Sequence, residues 1–217
     1  MRPALRNLCL LHFFGTAALL AVGYYWLGIG ESSVAALIWS ATIALVALTA
    51  ALWLHAAALA HFHGDDSPWK TGLRRLPPLA AVAVGAAGIY LLLAKWQAHH
   101  PQRAYLLLLW WVIPVMVLPL AAGVVGAGWS GFHWRSWRPI RRWTIWVEVP
   151  LLLLCALWLP WKLIHWVPRV NGFWFQMTSF VLRASLAYAL LVGALLLLDC
   201  VCAKAISLPA ADPDPAN

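Results

Sequence analysis

The chain reads as six long apolar runs separated by short polar stretches. A helix needs about 20 mostly apolar residues to cross a bilayer, and runs of that kind occupy about Leu8–Ile29, Val34–His61, Leu79–Lys95, Ala104–Gly128, Trp143–Trp161 and Phe173–Ala203. The second and sixth exceed the minimum, which predicts tilt or ends that leave the bilayer. The predicted fold is all-α, a bundle of six transmembrane helices forming one domain over residues 1–209. The Pro/Asp-rich stretch 210–217 is expected to be a disordered tail. The longest polar connection, His63–Arg75, is too short to fold alone, so any chemistry belongs to the bundle or its rims.

Composition sharpens this picture. Hydrophobic residues make up 64% of the 217 and charged residues only 10%, against roughly a quarter charged in soluble domains. Many of the 16 Trp fall near the ends of the apolar runs, where amphipathic rings sit at headgroup level. Cys9, Cys155, Cys200 and Cys202 form neither a disulfide framework nor a zinc spacing. They read as small apolar residues.

Charge sets the expected orientation. Arg2, Arg6, Lys70, Arg74, Arg75, Arg135, Arg138, Arg141, Arg142 and Lys204 fall on one side of the six runs, ten basic residues against four (Lys95, Arg103, Lys162 and Arg169) on the other. Basic residues collect on the cytoplasmic side, so both termini are expected in the cytoplasm of a bacterial inner membrane. The net charge of +8 is then a topological signature and predicts no nucleic-acid partner. The first run begins like a secretory signal, with Arg2 and Arg6. Its small-residue site, Ala21-Val22-Gly23, is poor, and the apolar run continues through Tyr24, Tyr25 and Trp26, so the segment is expected to be a retained span.

Two cytoplasmic connections resemble each other. Phe62-His63, Trp69 and Arg74-Arg75 have counterparts in Phe132-His133, Trp134 with Trp137, and Arg141-Arg142, a pattern that suits a degenerate two-helix repeat or, more plainly, two interface loops meeting the same headgroup layer. Arg135, Arg138, Arg141 and Arg142, with Trp134, Trp137 and Trp143, are candidates for anionic lipid headgroups, each basic residue gaining about 1 kcal/mol near such a surface. The fifth connection, Leu159–Gly172, is expected to lie along the outer interface. Pro114 and Pro119 interrupt the fourth run and Pro150 the fifth. Each proline frees a carbonyl one turn earlier, which needs a partner in the protein or in a wet cavity.

Ionisable groups inside the runs are the candidate chemistry, because charge at membrane depth is costly and usually faces the bundle interior. Glu148, Arg183 and Asp199 are the transport or proton-relay candidates. Arg183 shares a helix face with Gln176, Ser179, Ala187 and Ala194. Asp199 falls on nearly the opposite face, so the two are not expected to pair. His12 and His55 share the cytoplasmic third with Glu148 and Asp199. That set of two imidazoles and two carboxylates makes His12 and His55 candidates for metal, haem or proton chemistry. Local hydrogen bonding is the plainer role for both. His99-His100 is a weak metal pair without a third ligand nearby.

The chain carries no nucleophile elbow, P-loop, dinucleotide fingerprint or His-Glu-x-x-His helix. No cofactor is called for and enzymatic activity is not expected. The segment Asp66-Ser67-Pro68-Trp69-Lys70 followed by Leu73-Arg74-Arg75-Leu76-Pro77 resembles the re-entry segment of bacterial six-helix membrane proteins, including the membrane domains of some glycerophosphodiester phosphodiesterases. The resemblance covers about a quarter of the chain and is compositional. It implies a compact six-helix bundle with cytoplasmic termini and carries over no catalytic residue. The leading functional expectation is a non-enzymatic accessory or scaffold component, in contact with lipid and with a membrane-protein partner or further copies of itself. Beside it stand a small transporter or channel using the proline-broken helices, and a haem or metal redox protein using His12 and His55.

Overall fold

The computed structural model describes residues 3–30, 33–100, 105–133, 140, 142–167 and 172–207. Helices α1 (Pro3–Leu27) and α2 (Val34–Phe62) form a hairpin, followed by the short α3 (Pro68–Arg74). Then come α4 (Leu76–His99), α5 (Tyr105–Ala127) and a 3-10 turn over Gly128–Phe132. Helix α6 (Trp143–Leu153) passes through a π turn, Leu154–Trp158, into α7 (Leu159–His165), and α8 (Phe173–Ser207) completes the described chain. Among the described residues there is no strand, and six helical segments are long and apolar enough to cross a membrane. They match the six runs to within a few residues at each end.

The fifth segment runs on to His165, its last part being α7, in the stretch from Leu159 expected to form a short interfacial helix or turn. The π turn explains the extension. The Leu159 N–H reaches back five residues to the Leu154 carbonyl, which shifts the register so that Pro160 enters near the start of α7, where a missing N–H costs least. Of the carbonyls freed by the prolines of α5, that of Trp110, one turn before Pro114, accepts the Tyr90 hydroxyl at 3.4 Å.

Lipid chains are as apolar as leucine, so helix association in a membrane rests on close packing and polar contacts. Six crossings put both chain ends at one end of the bundle, here called the terminal face, and packing is concentrated in that half. Ala56, Leu59 and Ala60 of α2, Leu79 and Val82 of α4, and Val124 and Val125 of α5 share one core with Ile145 and Val149 of α6 and with Leu198, Cys202 and Ala203 of α8. The alanine run Ala56–Ala58 lets α3 lie directly on α2, and a Cβ at Gly72 would stand 2.9 Å from the Ala57 nitrogen. Towards the distal face the hairpins separate. Tyr24 and Leu27 of α1, Leu37, Ile38, Leu45 and Val46 of α2, and Leu91 and Leu92 of α4 are all exposed.

The tryptophans do more than line the rims. The Trp26 indole donates to the Ser40 carbonyl at 3.0 Å, Trp53 to the Trp69 carbonyl at 3.2 Å, Trp110 to Gln97 Oε1 at 2.8 Å and Trp146 to the Ile140 carbonyl at 2.7 Å. Each ties two neighbouring parts of the chain together.

Candidate functional site

Helix α1 buries a narrow stripe. Leu8, His12 and Thr16 lie four residues apart and are all buried, while Phe13 and Phe14 beside them are exposed. Four-residue spacing stacks side chains on one helix face, so the stripe carries His12 into the bundle against α2. There the His12 Nε2–H donates to the Leu54 carbonyl at 3.1 Å. Gly15, one turn on, lets α1 approach, since a Cβ there would lie 3.2 Å from the Leu54 side chain.

His55 follows Leu54 and turns toward α8. Its Nδ1–H donates to Asp199 Oδ2 at 3.0 Å. The His12 and His55 rings meet edge to face with centroids 5.7 Å apart. Three ionisable side chains from α1, α2 and α8 therefore converge in the packed half of the bundle. The His55 side chain is 34% exposed and that of Asp199 only 7%, so access to the cluster runs through His55. His12 is fully buried. With Nε2–H committed to Leu54, its Nδ1 holds a lone pair, and that atom is buried without a hydrogen-bond partner. The Tyr188 hydroxyl donates to the Phe13 carbonyl, a second polar tie between α8 and α1 beside the cluster.

The expected set of two imidazoles and two carboxylates thus loses one member. Ile145 and Val149 are the buried positions of α6, and Glu148 is exposed between them. Among the described residues Glu148 has no ion-pair partner. It joins neither Arg183 nor the histidines.

Arg183 sits elsewhere and does a different job. Its Nε donates to the Ser179 carbonyl at 3.1 Å, one turn back on α8, and Nη1 donates to the carbonyls of Ile164, at 3.2 Å, and Trp166. The last carbonyls of a helix have no intrahelical partner, and a cation there also meets the negative end of the helix dipole. Arg183 therefore fastens the C-terminus of α7 to α8. Ala187 and Ala194 on the same face are buried, in line with the small-residue stripe read from the sequence.

The cluster's chemistry is narrow. Among the described residues no group of three His, Cys, Asp or Glu is placed to hold a metal ion. Two axial imidazoles must face each other across a porphyrin, and rings in edge-to-face contact at 5.7 Å leave no slot for a macrocycle. What the arrangement can do is accept, share and release a proton. Arg142 lies at the start of α6 with a half-buried side chain. The other headgroup candidates, Arg135, Arg138 and Arg141, lie outside the described residues. Sequence reading missed the Leu54 carbonyl as the anchor of His12. It also treated Arg75 only as a basic loop residue, although that side chain packs against the backbone of Gly128.

No protein-family model matches the chain, and no curated protein or solved structure matches it either.

Proposed function

We propose that the protein is a small proton-handling transporter of a bacterial inner membrane, with both termini in the cytoplasm and with His12, His55 and Asp199 as its titratable site. The observation that carries this reading is the contact of His55 Nδ1 with Asp199 Oδ2 at 3.0 Å, within the apolar core and beside a second buried imidazole. A lone carboxylate at that depth is costly. Paired with an imidazole it can hold one proton as a net-neutral unit, then give it up through the exposed side of His55. The transport site is thereby assigned to α1, α2 and α8 in place of the proline-broken helices, because Glu148 is exposed and Arg183 is occupied by carbonyls.

The experiment is proton flux into vesicles reconstituted with the full chain, driven by a potassium diffusion potential. His55→Ala and Asp199→Asn are expected to abolish the flux, while both variants still elute as folded protein in detergent. Flux unchanged in both, or wild-type vesicles no more permeable to protons than protein-free ones, overturns the reading.

A second reading, the accessory subunit, is favoured by the exposed distal half of the α1–α2 hairpin, where Tyr24, Leu27, Leu37, Ile38 and Leu45 face outward. Mild extraction from native membranes followed by cross-linking from Leu45 tests it. A reproducible protein adduct supports the subunit role, and lipid adducts alone remove it.

A further inference from the structure

At the terminal face the ends of three spans meet around a cleft of about 320 Å3, lined by His63, Asp65, Thr71, Arg74, Arg75 and Gly126 among others. His63 caps α2, Arg75 is the junction of α3 and α4, and Gly126 is near the end of α5. The backbone at the junction is fixed on both sides, with the Arg75 N–H donating to the Thr71 carbonyl at 2.9 Å and the Arg75 carbonyl accepting from Leu79 N–H at 3.1 Å. The guanidinium is closely packed. It lies against Gly128, whose φ is +69°, and a Cβ there would come within 2.0 Å of Nη1. Glycine is thus required at 128 both for its backbone conformation and for the approach of Arg75. On the other wall, a Cβ at Gly126 would stand 3.4 Å from His63 Nε2, which donates to the Ala122 carbonyl at 3.1 Å.

The charges of the cleft do not cancel. Asp65 is its carboxylate, and its two oxygens accept from the Ser67 N–H at 2.8 Å and the Thr71 hydroxyl at 2.7 Å. Asp65 shapes the turn into α3 and also lies close enough to Arg75 for the two charges to interact, so the two arginines leave the cleft one positive charge in excess. Arg74 is exposed and Arg75 half-buried, and the Arg75 Nε is buried with no hydrogen-bond partner. A guanidinium presents five donors in a planar fork that fits the oxygens of phosphate. The start of α4 offers few rival donors, since Pro77 and Pro78 carry no N–H.

We propose that this cleft is a binding site for a phosphate oxyanion, held by the Arg75 guanidinium with Arg74 as the outer cation. Span ends place the cleft at headgroup depth, so the anion is either the phosphodiester of an anionic phospholipid or a soluble phosphate. The cleft shares no lining residue with the proton cluster.

The test uses the full chain, stripped of lipid in a non-ionic detergent, titrated separately with inorganic phosphate and with dihexanoyl phosphatidylglycerol below its micellar concentration. Thermal stability and native mass spectrometry are the readouts. Saturable binding of at least one probe is expected, weakened about tenfold or more by Arg75→Gln and left nearly unchanged by Arg6→Gln, an exposed cation outside the cleft at the start of α1. Gly128→Ala, which displaces the guanidinium without removing its charge, is expected to weaken binding as well. If Arg75→Gln fails to fold, Arg74→Gln and Gly128→Ala carry the comparison. Saturation by inorganic phosphate assigns a soluble anion, and saturation by the lipid alone assigns a headgroup. Absence of saturable binding by either probe, or equal losses in the Arg75 and Arg6 variants, overturns the proposal.

Discussion

His55 and Asp199 are separated by 144 positions in the chain, and their side chains meet at 3.0 Å between α2 and α8. Among the described residues this is the single ion pair, and it sits beside the buried ring of His12. A polar contact inside an apolar bundle joins the helices whether or not it carries protons, and the two roles separate by experiment. Removing one partner strands the other. His55→Ala and Asp199→Ala are each expected to lower stability by about 1–3 kcal/mol. The double variant is expected to fall short of the sum by about 1 kcal/mol or more, because contacting residues couple. Unfolding in mixed micelles with increasing sodium dodecyl sulfate measures the cycle, and simple additivity would show that the pair does not form.

Close backbone approach is concentrated at two glycines. A Cβ at Gly131 would come within 2.4 Å of the Gly123 carbonyl oxygen and 2.6 Å of the Val124 Cα. Gly131→Ala is therefore expected to cost about 1–3 kcal/mol. Gly85 has no atom within 4 Å of such a Cβ, so Gly85→Ala is expected to be neutral or stabilising by up to about 1 kcal/mol through helix propensity. Melting of the two variants side by side checks the contrast, and equal effects would place the 3-10 turn elsewhere.

Asp65 lies in the connection between α2 and α3. The Ser67 N–H, then the Thr71 hydroxyl, hold its carboxyl below the ordinary value of 3.8. A group whose folded-state value is depressed adds stability above the unfolded value and loses it as pH falls through the folded one. The turn is expected to keep its order from neutral pH down to about 3.8 and to loosen below. Amide exchange at Ser67, read against Asp65→Asn at neutral pH, reports this. A variant that exchanges like wild type would exclude the carboxylate as the turn's anchor.

Arg183 predicts a local effect. Its guanidinium bridges Ser179 on α8 to Ile164 and Trp166 at the end of α7. Arg183→Gln is expected to accelerate exchange at the Trp166 amide, which donates to the Lys162 carbonyl at 2.9 Å, and to leave proton flux intact. Loss of flux with α7 still protected would move Arg183 into the transport site.

The six spans were legible because every backbone polar group in lipid must be satisfied within its own helix, which makes each span long and continuous. Depth was legible too. His12, His55 and Asp199 could be assigned to one third of the membrane by counting residues, but not which of them would touch. That depends on how α1, α2 and α8 are rotated, and rotation is set by contacts such as Gly15 on Leu54 that no spacing encodes. Glu148 shows the same gap, since depth put it with the histidines and the rotation of α6 exposes it. The face shared by Arg183, Ser179 and Ala187 could be read from four-residue steps. Its carbonyl partners could not, because they depend on a π turn that carries α7 beyond Pro160. Arg75 illustrates a different limit, for its significance lies in a glycine 53 positions later in the chain.

Packing concentrated in one half of the bundle has a consequence for the bilayer itself. Near the terminal face protein touches protein, and acyl chains touch only the perimeter. In the other leaflet the exposed flanks of α1, α2 and α4 present their apolar side chains to lipid tails. Those tails become part of the solid on which the hairpins rest. The two leaflets are then mechanically unequal partners. Lateral pressure in the terminal leaflet compresses a body that already holds together, whereas chain length and unsaturation in the distal leaflet set how far the hairpins part.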